Sequence, residues 1–258
     1  MRKHLIVFCC LAIIAAVCTQ VNGGAFDYNM VRTETRTWHT SEVTQIHATT
    51  VNGDIAVSAL QDTLITAEIT RSCSGTDSTD AEVHIANITI SESINEGQLT
   101  LEADMPDDAA RNYQADFEIT SPQSKYVNLT TVNGDVTIQD MIDGARAVVT
   151  NGGIATANLR GGFNGETTNG AINCDMETLE LGESVLLVTT NGAVNLMLPA
   201  DVSANFNAAT TNGEVVVTGF ASVTYTIDEE NHKAGAIGMG GAVINIAVAN
   251  GDITIMAR

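Results

Sequence analysis

The sequence predicts an all-β protein, a β-solenoid (single-stranded β-helix) of stacked coils of about 18–22 residues, with a less regular N-terminal part. Three observations carry this expectation. An Asn-Gly corner, mostly written Thr-Asn-Gly or Val-Asn-Gly, recurs in seven copies: Asn52-Gly53, Asn133-Gly134, Asn151-Gly152, Asn169-Gly170, Asn191-Gly192, Asn212-Gly213 and Asn250-Gly251. From Asn133 to Asn212 the steps are 18, 18, 22 and 21 residues, the near-constant period of a stacked repeat. Like residues also fall in like columns. Three after each Asn stand Ile55, Val136, Ile154, Ile172, Val194, Val215 and Ile253, and six before stand Ile46, Val127, Ala145, Phe163, Val185, Phe206 and Ile244.

Apolar residues alternate with period two on both sides of the Asn, which predicts two strands per copy, each with one buried face. β-Branched enrichment supports strand over helix. Asn and Gly tolerate positive φ, so the chain turns there at low steric cost. Two architectures satisfy this, a meander in which Asn-Gly is a hairpin turn and a solenoid in which it is a corner. The column identity favours the solenoid, with each copy on the next about 4.8 Å along the axis and Asn side chains bonded along it.

The chain opens with Arg2-Lys3 and an apolar run from Leu5 to Val17, the pattern of a signal peptide and short for a membrane span. We assign residues 1–23 to it, with cleavage after Cys18, Gly23 or Ala25 all compatible, and 24–258 to one β-solenoid domain. That domain divides into irregular coils to about residue 125 and a regular ladder over 126–258. Phe26 to Thr44 is expected to be an entry strand over the open end of the first coil, with Trp38 as a cap residue. Leu64 to Ile69 is strand-like, and Ser72 to Asp77 reads as a loop. Asp80 to Asn87 reads as a short helix behind Ser78 and Thr79 as N-caps. Ile88 to Ile90 and Gln98 to Ala103 are expected strands. Asp104 to Asn112 is a solvated loop, and Tyr113 to Thr120 alternates again. In the ladder, second turns are expected at Arg160-Gly161-Gly162, Leu181-Gly182-Glu183 and Pro199-Ala200-Asp201. Gly235 to Gly241 reads as a glycine-rich corner before the last copy.

Composition narrows the function. The 258-residue chain carries 11 basic and 31 acidic residues, a net charge of −20. Removing residues 1–23 leaves 9 basic residues against the same 31 acidic ones, a net charge of −22. Such a field repels nucleic acid and anionic lipid, so neither is an expected partner. Membrane contact is expected only through the signal segment, were it retained.

The succession Thr-Thr-Val-Asn-Gly-Asp-Ile/Val, the Thr-Asn-Gly-Ala-Ile/Val rungs, Leu196-Met197-Leu198-Pro199 and the closing Gly-Met-Gly-Gly…Val-Ala-Asn-Gly-Asp-Ile resemble a bacterial family. This is the putative adhesin domain family, formally of unknown function and predicted as a β-solenoid on exported or membrane-attached proteins. The resemblance runs from about Glu42 to Arg258, and it implies adhesion by analogy of fold. It supplies no catalytic residues.

The candidate chemistries are weak. Asp54, Asp135 and Asp252 follow the Gly in three copies, but Gly153, Ala171, Ala193 and Glu214 break the row that calcium would need. They read as turn acids bonded to local backbone. Cys73 and Cys174 are compatible with a disulfide or, more simply, with free buried thiols. His39, His47, His84 and His232 show no zinc-ligand spacing. Arg146 and Arg160 are the only basic residues on the regular ladder between Asn133 and Asn212, and no Asp cluster is evident beside them. Thr150, Thr168, Thr190 and Thr211, each just before an Asn, form an outward hydroxyl column. The reading is thus an exported, non-enzymatic protein of the periplasm or cell surface, binding or scaffolding an envelope component (glycan or protein) through a long face. No catalytic, cofactor or metal residue is expected, and the alternative is a β-helix enzyme acting on polysaccharide.

Overall fold

A computed structural model describes residues 12–20, 26–61 and 63–258. Arg2-Lys3, the first part of the apolar run and the cleavage positions at Gly23 and Ala25 lie outside the described residues.

The protein is all-β, and the described residues form two eleven-stranded sheets facing each other across an apolar core. Each Asn-Gly joins a strand of one sheet to a strand of the other. Tyr126–Asn133, for example, ends at its Asn, and Val136–Gln139 starts three residues later. The dipeptide is therefore a corner between sheets and not a hairpin turn, which removes the meander and is consistent with a β-solenoid. Copies pair in parallel and in register, with Asn133 opposite Asn151, Asn151 opposite Asn169 and Asn169 opposite Asn191. The residues three after each Asn are all at most 2 % exposed, as burial of one face of a period-two strand requires. Val217, five after Asn212, is only half-buried because its coil is outermost.

The coils do not stack in chain order at either end. Strand Ala242–Asn250 lies between Ser184–Asn191 and Ala204–Asn212, so the Asn250 coil is inserted between the Asn191 and Asn212 coils. The cause is a hairpin that sequence reasoning did not separate, Val223–Asp228 with His232–Ile237. Its second strand runs antiparallel to Ala204–Asn212 on the outer side. The chain then steps across the start of that strand to pair with its inner side. Gly238 and Gly240, at φ 62° and 75°, make the crossing. A Cβ on Gly240 would stand 2.7 Å from Asn205 Oδ1 and one on Gly238 2.8 Å from Ser203 Oγ, so these two positions, left-handed as well, favour glycine. The glycine-rich corner is thus confined to Gly238–Gly241. Gly235 belongs to the hairpin strand.

The other end mirrors this arrangement. Gln98–Asp104 and Gln114–Ser121 form a coil outside the Asn52 coil, pairing with Gln45–Asn52 and Ile55–Ala59. In place of Asn-Gly this coil turns through residues 105–113, with a short 3-10 turn at Ala109–Arg111.

Antiparallel strands close the N-terminal end. Leu64–Gly75, Tyr28–His39 and Ala12–Gln20 extend one sheet, and Thr89–Asn95 the other. Ser72 to Gly75, expected as loop, continues the strand because it pairs with Tyr28–Val31 to the last residue. Helix Ser78–Ile85 is capped by Asp77 rather than Ser78 or Thr79. The Asp77 carboxylate accepts from the amides of Thr79 and Asp80, both at 2.8 Å, from an extended backbone that suits an N-cap. Trp38, 3 % exposed, packs in the core opposite Ile65.

Candidate binding surface

The corner column is the most regular feature of the surface. The Asn carboxamides form one continuous ladder. Asn133 donates to Asn52 at 2.6 Å, Asn151 to Asn133, Asn169 to Asn151 and Asn191 to Asn169 at 2.8 Å each, Asn250 to Asn191 at 2.9 Å and Asn212 to Asn250 at 2.8 Å. At the N-terminal end Asn52 donates to the Tyr113 carbonyl at 3.2 Å. The Gly residues let coils approach this closely. A Cβ on Gly192 would stand 2.0 Å from the Gly170 carbonyl oxygen, and one on Gly152 2.0 Å from that of Gly134.

Inside the corner lies a second hydroxyl column that sequence reasoning did not resolve, two residues before the Asn. Thr131, Thr167, Thr189 and Thr210 are buried and donate to the carbonyls of Gly53, Gly152, Gly170 and Gly251 at 2.8–3.0 Å. The signal was present as Thr-Thr pairs before the Asn, of which only the second was read. A buried hydroxyl needs such a partner, and the turned Gly carbonyl supplies it.

Asp54 and Asp135 accept from the amides of Asp135 and Gly153 in the next coil, at 2.8 and 2.7 Å, and Asp252 accepts from Glu214 at 3.0 Å. They bond the backbone of a neighbouring coil, where turn-local bonding was expected. Among the described residues no group of His, Cys, Asp and Glu is arranged to hold a metal ion.

Outside the corner, Thr150, Thr168, Thr190 and Thr211 are exposed. In stacking order the column reads Val51, Val132, Thr150, Thr168, Thr190, Ala249, Thr211, so the inserted coil breaks the hydroxyl row with Ala249. Where the corner column meets the coil without Asn-Gly, a cleft of about 520 Å³ opens, lined among others by Val51, Asn52, Asp54, Asp107, Asn112 and Tyr113. Its 105–113 wall is tied to the helix by Arg111, 2.8 Å from the Asp80 carboxylate. The hydrogen bond from Arg111 and one from the Thr76 amide hold the Asp80 carboxyl down to about 2.

The ladder arginines are engaged. Arg160 makes a two-pronged pair with Glu177 at 2.9 and 2.8 Å, and Arg146 lies 3.5 Å from Glu166, all four side chains well exposed. Cys73 and Cys174 are separate, buried, free thiols. Burial pushes the Cys73 thiol up to about 11 and that of Cys174 up to about 12, so both are protonated at neutral pH. Beneath the N-terminal strands, Glu34 is 5 % exposed and receives Arg36 at 2.6 Å and Arg71 at 3.2 Å, a pairing that offsets the cost of its burial.

This geometry defines a class: an all-β stack of parallel coils whose most regular feature is a polar, exposed corner ridge. The chain belongs to the Toastrack DUF4097 family, whose model matches residues 39–256. Among solved structures it is similar to a putative cell adhesion protein from Clostridium sporogenes ATCC 15579, at 12% identity and a TM-score of 0.52, over 88% of this chain and 100% of that one. It is also similar to a putative adhesin from Bacteroides fragilis NCTC 9343, at 14% identity and a TM-score of 0.46, over 93% of this chain and 100% of that one. The first likeness concerns the fold alone. No curated protein matches the chain.

Proposed function

We propose that the protein is exported through its first 23 residues and that residues 24–258 act as one non-enzymatic binding unit of the periplasm or cell surface. Its role in this reading is adhesion to, or scaffolding of, an envelope component, glycan or protein. The observation that carries the reading is the corner ridge. Seven carboxamides and four exposed threonines repeat at the coil spacing, so six steps of about 4.8 Å display hydrogen-bonding groups over about 29 Å. A periodic display of this kind matches a partner that is itself extended and polar. The cell-adhesion name of the Clostridium sporogenes relative is in keeping with it.

The test is co-sedimentation of residues 24–258 with insoluble envelope material, with the supernatant assayed for sugar fragments. Binding without release is expected, and Thr168→Arg with Thr190→Arg on the ridge should reduce it at least about tenfold, the effect of about 1.4 kcal/mol. Sugar release would replace the reading with a polysaccharide-cleaving enzyme, and failure to sediment would contradict an envelope ligand.

A further inference from the structure

We propose that Asn212-Gly213 is a site of spontaneous deamidation and isoaspartate formation, and that the same dipeptide is protected in the other six corners. The reaction needs the Gly nitrogen as nucleophile and the Asn carboxamide as electrophile. The Gly213 nitrogen loses its proton and bonds to Asn212 Cγ, the Cγ–Nδ2 bond breaks, and the nitrogen leaves as ammonia. Water then opens the resulting succinimide ring at either carbonyl, giving Asp or the β-linked isoaspartate. The net change is amide plus water to acid plus ammonia, with no other reactant.

Stacking blocks both groups in six corners. The amides of Gly53, Gly134, Gly152, Gly170, Gly192 and Gly251 donate to the Asn carbonyl of the next coil at 2.8–3.0 Å. The matching Asn carboxamides each accept a ladder bond from the neighbouring Asn. A nitrogen held in a hydrogen bond and a carboxamide held on its neighbour reach each other only if two coils separate. The Asn212 coil is the last of the stack, because the inserted Asn250 coil takes the inner place. Among the described residues no acceptor meets the Gly213 amide and no donor meets Asn212 Oδ1, so the Asn212 carboxamide keeps one ladder bond, the one its Nδ2 donates to Asn250, and the Gly213 nitrogen none. Gly213 is exposed, whereas the other six corner glycines are buried or half-buried. The opposite end lacks this opening, since the coil ending in Gln114–Ser121 covers Gly53, whose added Cβ would meet the Ala115 carbonyl oxygen at 2.0 Å. The same turn thus appears seven times, and at Asn212 alone no further coil lies on top: the turn of the outer hairpin reaches only the flanking Thr210 and Val215 amides, which donate to the Asn231 and Glu230 carbonyls at 2.9 and 2.8 Å.

The product adds a carboxylate to the exposed end of the ladder and, as isoaspartate, one backbone carbon to the outermost corner. Coils contact only their neighbours, so the change stays at that end. Two further Asn-Gly dipeptides fall outside the comparison: Asn22-Gly23 lies outside the described residues, and Asn164-Gly165 sits in a strand paired on both edges.

Peptide mapping by mass spectrometry of the full chain, aged at mildly alkaline pH with and without denaturing urea, tests this. In the folded protein Asn212 should convert at least about tenfold faster than each of the other six corners. That ratio corresponds to about 1.4 kcal/mol, the scale of one or two hydrogen bonds. In urea the seven should converge. Equal rates in the folded chain, or a faster site among the inner corners, would overturn the proposal.

Discussion

At the scale of single residues, the corner divides its work between two side chains of different consequence. An inner Asn such as Asn191 gives one ladder bond, to Asn169, and accepts one, from Asn250, and Asn191→Ala removes both. Its corner is exposed and water can replace part of the loss, so the cost should be about 1–3 kcal/mol. Gly192 has no such latitude. Its φ is 152° and an added Cβ would stand 2.0 Å from the Gly170 carbonyl oxygen, so Gly192→Ala must push two coils apart. We expect it to cost more than Asn191→Ala, above about 3 kcal/mol, in urea unfolding of both variants. Equal costs, or tolerance of the alanine, would contradict the close stacking at the corner. The Asn column and the apolar columns were legible in the sequence because each coil repeats the same environment, so like residues recur at like offsets. The Glu34–Arg36–Arg71 group was not, because Glu34 and Arg71 are 37 residues apart and join only when two antiparallel strands meet.

At the scale of elements, regular strands were easier to read than the segments that close the ends. Period-two alternation marked Tyr126–Asn133 and its successors, whereas Leu64–Gly75 looked like a strand with a polar loop attached. Its Ser72–Gly75 part is strand only because Tyr28–His39 pairs with it, a tertiary cause that local composition does not carry. The helix was legible but read two residues late at both ends, Asp80 to Asn87 against Ser78–Ile85, since Asp77, Ser78 and Thr79 are all N-cap types and only geometry chooses the carboxylate. That helix also carries the clearest pH dependence. The folded Asp80 carboxyl is depressed from 3.8 to about 2, so the stability it lends is fully present above about 3.8 and is lost as pH falls through about 2. Amide exchange in Ser78–Ile85 and in residues 109–111 should therefore accelerate across that window before the inner coils respond. In Arg111→Ala the acceleration should begin at higher pH; an unchanged profile would show that the Arg111–Asp80 pair does not tie the 105–113 segment to the helix.

At the scale of the whole molecule, the stacking order governs what the surface displays and which corner stands open. Chain order would run Asn191, Asn212, Asn250, whereas the sheets run Asn191, Asn250, Asn212. Nothing in the seven copies distinguishes these orders, because every copy offers the same columns to its neighbours. The only hint was the 38 residues between Asn212 and Asn250, long enough for the hairpin that forces the crossing. The inserted coil places Ala249 in the threonine row, sets the Asn250 corner between two other coils and leaves Asn212-Gly213 at the end. Paired cysteines on the outward face decide the order directly. Ala247 is opposite both Val188 and Ala209, whereas Val188 and Ala209 are two strands apart. Adjacent strands lie about 4.8 Å apart and second neighbours about 9.6 Å, and a disulfide spans Cα atoms up to about 7 Å apart. Under mild oxidation Val188→Cys with Ala247→Cys, and Ala247→Cys with Ala209→Cys, should each form an intramolecular disulfide, while Val188→Cys with Ala209→Cys should not. A bond in the third pair and none in the first would return the coils to chain order and contradict the account.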